Sequence, residues 1–171
     1  MEFYKEDKVI VNPLRIRDEY MNELENNLVL YFTSTSRVSA EIIKEQVSNV
    51  NKKNEKSIEA MHQLKEQAKM MKEALLKGKL NDIGEILDYG FQQKRLMAHN
   101  ISNTSIEEVY DAAKKAGATG GKISGAGGGG FMIFYCPGNT KYAVIKTLHS
   151  FGGEVKKYAF TNQGLATWTV K

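Results

Sequence analysis

Apolar and polar positions recur in two distinct rhythms along this 171-residue chain. Lys8 to Ile16 ("KVIVNPLRI") reads as a short strand interrupted by Pro13, which assigns it to a sheet edge. Leu28 to Phe32 is continuously apolar and β-rich, as expected of a strand covered on both faces. From Ser36 to about Asn49 the pattern turns helical, with Val38, Ile42 and Ile43 apolar among polar neighbours. Asn54 to Lys77 repeats apolar residues at three- and four-residue steps (Ile58, Met61, Leu64, Ala68, Met71, Leu75), and Gly78 ends the run as a C′ glycine. Leu80, Ile83, Ile86, Leu87, Phe91 and Met97 mark a further helix. The natural result is a long antiparallel pair packed through Met, Leu and Ile, with Met61, Met70, Met71 and Met97 as core filling.

Downstream, Ser105 and Glu108 have capping-box spacing, Val109, Ala112, Ala113 and Ala116 form an apolar stripe, and Gly117 stops the helix. Phe131 to Cys136 reads as a central strand and Thr140 to Phe151 as an amphipathic helix. "EVKKYAF", the turn "TNQG" and "LATWTVK" read as a closing hairpin, with Ala166, Trp168 and Val170 on one face. This order of elements predicts an α+β domain: a largely antiparallel sheet of about four strands with helices packed on one face.

The punctuation between the last two helices is unusual. "GGKISGAGGGGFMIFYC", Gly120 to Cys136, places seven glycines in its first eleven positions. Each ordered glycine costs roughly 0.5–1 kcal/mol relative to alanine. Gly125, Gly127 and Gly130 match G-x-G-x-x-G, but a strand follows them where a dinucleotide site needs a helix. The Walker A pattern fails as well, because Ile123 follows Gly121-Lys122. Two readings survive: a tight bend that lets another element approach closely, or a loop of bare N–H groups that cups an anion, with Ser124 adding a hydroxyl.

Composition narrows the classes. The net charge of +4 is mild and the lysines are scattered, which gives nucleic-acid binding little support. The single cysteine, Cys136, excludes an intrachain disulfide. No run reaches membrane-spanning length, and the charged N-terminal stretch lacks the apolar core of a signal peptide, so a cytoplasmic location is expected. His62, His99 and His149 lack ligand spacing, so no metal site is expected from side chains. Lys94 and Arg95 read as basic residues complementing a helix C-terminus.

The glycine stretch resembles the third motif of the GHMP kinase superfamily: a small residue, Lys, an apolar residue, Ser-Gly-Ala-Gly, more glycines, then an apolar strand. "ISNTSIEEVYDAAKKAGATGGKISGAGGGGFMIFYCP" and "LVLYFTSTSRVSAEII" are similar to the branch that phosphorylates D-glycero-D-manno-heptose 7-phosphate, whose Thr-x-x-Ser-Arg-x-Ser stretch corresponds to Thr33 with Ser36-Arg37-Val38-Ser39. The resemblance implies a GHMP kinase C-terminal domain over residues 1–171, with a ferredoxin-like core and inserted helices, and an ATP-dependent sugar kinase as the parent. It implies that Ser124, Gly125, Ala126, Gly127, Gly128 and Gly129 face the nucleotide phosphates. It further implies that ATP and Mg²⁺ are held mainly by an N-terminal half. Nothing like that half's P-x-x-x-G-L-G-S-S loop occurs here, so the isolated chain is expected to hold no catalytic residue and to be inactive.

Ser36 and Arg37 are the expected substrate contacts. A guanidinium at a helix start can grip a sugar phosphate, although Arg37 also suits an exposed position or a pair with Glu41. The competing classes are a kinase for another sugar such as fucose or galactose, a non-catalytic nucleotide- or anion-binding module, and a helical scaffold. Gly127→Val is expected to abolish ATP-dependent sugar phosphorylation by the parent enzyme while leaving the helical half folded. Unchanged turnover in that variant removes the phosphate role.

Overall fold

The fold was obtained as a computed structural model, which describes residues 1–34, 39–161 and 163–170. Its centre is a four-stranded sheet of β3 (Leu28–Phe32), β4 (Gly120–Ile123), β5 (Phe131–Tyr135) and β6 (Glu154–Lys156), in the order β4-β5-β3-β6. Every pairing is antiparallel. A separate two-stranded ribbon joins β1 (Glu2–Phe3) to β2 (Val9–Ile10). The helices are α1 (Asp18–Asn27), α2 (Ser39–Asn51), α3 (Glu55–Lys77), α4 (Asp82–Arg95), α5 (Thr104–Lys115) and α6 (Thr140–Leu148). The expected α+β class, with a largely antiparallel sheet of four strands, is what forms.

Register explains the core. Val29 lies opposite Phe134, Tyr31 opposite Met132, and Met132 opposite Ile123. Directly opposed residues share a face, so these five side chains form one apolar surface. All five are buried, with Ile106, Val109 and Ala113 of α5 and Val144 and Leu148 of α6 in the same cluster. The other face of β3 is only partly covered at Leu28, Leu30 and Phe32, which corrects the expectation of a strand covered on both sides. A second, smaller cluster joins Ala74 of α3, Leu80, and Ile83, Ile86 and Leu87 of α4 to Tyr135.

The α3–α4 pair forms as expected, with Asn54 accepting from the Ser57 amide at 3.1 Å and Gly78 in the left-handed conformation. Its packing differs from the expectation. The buried residues of α3 are Ser57, Ala60, Gln67 and Ala74, whereas Met61 and Met71 are half-buried and Met70 is exposed. Gln67 donates to the Ile86 carbonyl at 2.9 Å, and the Gly90 backbone lies against its amide. Small residues draw the helices too close for methionines to lie between them.

Four further differences from the sequence reading have identifiable causes. The N-cap of α5 is Asn103, which accepts from the Ile106 amide at 3.1 Å, so the Ser105–Glu108 capping box does not operate. Helix α1 has only Tyr20, Met21 and Leu24 as half-buried apolar contacts, too sparse a stripe to announce a helix. The closing hairpin is reduced to β6: described residues from Leu165 to Val170 form no strand, and Leu165 and Trp168 are 98% and 82% exposed. An alternating pattern needs a neighbouring strand, and none lies beside it among the described residues. In the same way, the Lys8–Ile16 strand shrinks to Val9–Ile10 and ends before Pro13.

Helix α4 packs along β4, the outer strand, and covers its edge. Contact is tightest at Gly84 and Gly120, where a Cβ on Gly120 would fall on the Gly84 carbonyl. At the far end of the helix, Lys94 Nζ donates to the Gly125 carbonyl. Helix α4 thus touches β4 at Gly120 and the turn after it at Gly125. Gly120→Ala should destabilise the domain by about 1–3 kcal/mol, the usual cost of overpacking, in urea unfolding. Gly164→Ala, in open space, should leave stability unchanged.

Candidate functional site

The glycine run is the turn of the β4–β5 hairpin, so a strand lies on each side of it. Five of its glycines have positive φ: Gly125 (76°), Gly127 (120°), Gly128 (75°), Gly129 (154°) and Gly130 (93°). A side chain at any of these would be strained, so glycine here is a geometric requirement. Successive amides in such conformations converge on a concave surface that suits an anion.

Part of the loop is tied down. The Ser124 amide donates to the Phe131 carbonyl at 2.7 Å, and the Gly128 amide to the Ile101 carbonyl at 2.8 Å. Gly130 exchanges hydrogen bonds with Thr33 at the end of β3: its amide donates to Thr33 Oγ1 at 3.0 Å, and its carbonyl accepts from the Thr33 amide at 2.9 Å. The amides of Gly125, Ala126, Gly127 and Gly129 have no hydrogen-bond partner among the described residues. Ser124 and Gly125 are exposed, and Ala126 and Gly129 half-exposed. Gly127 is buried against Ile101, so the loop is anchored at three amides and presents three accessible unpaired ones, at Gly125, Ala126 and Gly129.

Its support is the segment at Ile101. A Cβ on Gly127 would come within 2.7 Å of the Ile101 main chain. Behind that segment, Glu107 accepts from Arg95 Nη2 at 2.6 Å and from the Ser102 hydroxyl. The Arg95 guanidinium also lies over the Phe91 ring at 4.0 Å. Arg95 is therefore a packed strut between α4 and α5, which corrects its reading as a mere helix-end charge. Gly127→Val also bears on more than the loop. Valine would strike main chain and displace the Ile101 support along with the loop.

Two lysines flank the loop. Lys94, in the last turn of α4, donates from Nζ to the Gly125 carbonyl. It also departs from the reading as a charge that only complements its helix end. Lys122 stands on β4, two residues before Ser124, on the face opposite Ile123. Burial, and then the charge of Lys122, lowers the Lys94 pKa to about 8. Burial lowers that of Lys122 as well. Neither lysine makes an ion pair among the described residues.

Ser124, Gly125, Ala126, Gly127, Gly128 and Gly129 therefore lie together in one turn, although the Gly128 amide is spent on Ile101. Ser36 and Arg37 lie outside the described residues. Thr33 entered the sequence reading only through the family resemblance, and the roles of Ile101 and Asn103 escaped it; Asn103 Nδ2 donates to the Gly128 carbonyl at 3.4 Å. Only the fold could reveal them, because they are distant in sequence from the loop they hold. Nearby side-chain charges are ammonium groups, a donor set that fits phosphate. Among the described residues no group of three or more His, Cys, Asp or Glu gathers as metal ligands. Cys136 is buried, which pushes its thiol up to about 12 and leaves it inert. No described helix is long and apolar enough to cross a membrane.

Residues 71–153 match the family described as GHMP kinases C terminal. The chain is 40% identical over 170 residues to a D-glycero-alpha-D-manno-heptose 7-phosphate kinase from Campylobacter jejuni, covering 99% of this chain and 50% of the relative. A crystal structure of a candidate sugar kinase from Campylobacter jejuni superposes with a TM-score of 0.70 at 38% identity, covering 97% of this chain and 46% of that one. A D-glycero-D-manno-heptose 1-phosphate kinase from Bacteroides thetaiotaomicron superposes with a TM-score of 0.60 at 33% identity, covering 90% and 39%. The chain spans about half the length of the curated relative with which it shares 40% identity.

Lys94 should lose its charge as pH rises through about 8, well below the ordinary lysine range. Its folded pKa is depressed, so between pH 8 and the ordinary lysine value the unfolded chain holds a proton that the native chain has released. Below that window the buried charge costs stability, and the cost is relieved as pH rises through it. Nζ chemical shifts followed by NMR should give the midpoint, and Lys122→Met should move it upward. A midpoint near 10.5 in the parent chain would contradict the burial of this group.

Proposed function

The chain belongs to the GHMP kinases through the C-terminal domain matched by residues 71–153, and from that premise we propose that it forms the phosphate-facing half of an ATP-dependent sugar kinase. The acceptor that its relatives' names favour is a heptose phosphate, D-glycero-D-manno-heptose 7-phosphate first. In this reading the chain works joined to an N-terminal half that carries the other phosphate loop and most of the Mg²⁺ contacts. The observation that carries the proposal is the half-open turn: three accessible unpaired amides, at Gly125, Ala126 and Gly129, set between three tethered ones.

Phosphoryl transfer depends on positioning and charge stabilisation more than on covalent chemistry by the protein. Rigid N–H donors suit that role because they need no reorganisation when charge moves between oxygens. The Gly125, Ala126 and Gly129 amides would meet the nucleotide's terminal oxygens, and the exposed Ser124 hydroxyl would add one more donor. The tethers to Phe131, Ile101 and Thr33 keep the amides from collapsing onto one another. The chain supplies no general base in this scheme, and alone it should bind phosphate without turning over.

Kinetics of the joined enzyme test this. With ATP and heptose 7-phosphate, ADP release should be matched by formation of a heptose bisphosphate. Gly125→Ala has no atom within 4 Å of the added methyl but requires a strained φ, so it should lower kcat/KM at least tenfold without unfolding the domain. Heptose 1-phosphate, fucose and galactose, run as parallel acceptors, would identify the true substrate. Failure of ATP-dependent transfer to all four sugars, or full activity in Gly125→Ala, would overturn the proposal.

A further inference from the structure

We propose that Lys94 and Lys122 are direct ligands of the anion held by the glycine turn, gripping its phosphate oxygens from the α4 and β4 sides. The inference rests on the phosphate reading of the loop and deepens it by assigning charge to what is otherwise a neutral cradle.

The geometry carries the assignment. Lys94 reaches the loop itself, donating to the Gly125 carbonyl between the tethered Ser124 amide and the open Ala126 amide. An ammonium has three donors, so two remain after that bond. Lys122 stands on β4 two residues before Ser124, on the face that Gly120 turns toward α4, so the two lysines lie on the same side of the sheet. Both are half-buried, and neither has a carboxylate partner among the described residues.

Four other lysines have acidic neighbours. Lys69, Lys77 and Lys156 pair with acids, and Lys114 lies 3.9 Å from Asp88. Two like charges confined together without a counter-ion are unfavourable, and an anion between them removes both the repulsion and part of the desolvation cost. The close approach of Gly84 to Gly120 keeps this arrangement in place, because it holds α4 in step with β4. The ligand is a phosphate oxyanion, whose source is either the nucleotide tail or the acceptor's own phosphate.

A mere anchoring role for Lys94 would also perturb the loop on substitution, so two positions are needed. Lys122 makes no bond to the loop, and any loss on its removal reports charge at the ligand. The full 171-residue chain, labelled with ¹⁵N, is titrated with tripolyphosphate, ATP and heptose 7-phosphate, following the Gly125, Ala126 and Gly129 amides. These amides should shift in the parent chain. Lys94→Met and Lys122→Met should each weaken the apparent affinity at least tenfold and flatten its salt dependence. Lys94→Arg should recover most of the loss, and Lys65→Met, an exposed charge on α3, should change nothing. Weakening confined to the ATP titration identifies the nucleotide tail, and weakening confined to heptose 7-phosphate identifies the acceptor. Unchanged affinity in either methionine variant removes that lysine while the loop reading stands. Loop amides unmoved by every probe would overturn both.

Discussion

A missing side chain fixes the geometry on which the site depends. Gly120 lies so close to Gly84 that a methyl group at either position would meet the other element. This contact lays α4 along the outer edge of the sheet at main-chain distance and sets its phase relative to β4. Everything further along α4 follows from that phase. Asp88 receives the Tyr110 hydroxyl, Arg95 reaches Glu107, and Lys94 arrives at the turn after β4. Burial, together with the hydrogen bond to Asp88, keeps the Tyr110 phenol protonated far above its ordinary range.

The turn combines two requirements that usually conflict. Open amides invite an anion, but a loop with many unpaired donors and glycine freedom loses much entropy when it orders. Here order comes from outside the loop. Ile101, Thr33 and Phe131 each hold one amide, and the Arg95–Glu107–Ser102 network stiffens the segment that carries Ile101. The remaining amides keep their directions without being consumed. Preorganisation of this kind separates a binding loop from a flexible linker of similar composition.

Much of the fold could be read in advance because its strongest elements are local. Asn54 and Gly78 bracket α3, the apolar run of β3 is interrupted nowhere, and "FMIFY" leaves no alternative to a buried strand. Failures occurred where a partner decides the outcome. Leu165 to Val170 alternate correctly yet form no strand, because no described strand lies beside them. Gln67 sits in the α3–α4 interface because the Ile86 carbonyl is there to accept its proton, whereas Met70 on the same helix faces solvent. Asn103 caps α5 in place of Ser105, since its preceding backbone is already extended.

The sequence by itself determined that a glycine-rich turn precedes a buried strand, and that its backbone can reach conformations closed to other residues. It also carried the family resemblance, because order and composition over a dozen positions need no coordinates to compare. Only the tertiary structure decided which amides are spent and which are open, since the acceptors at Ile101 and Thr33 are set by packing between distant segments. It likewise decided that Lys94 serves the loop rather than its own helix end. A side chain's role depends on what stands opposite it, and that is settled by the phase of one element against another.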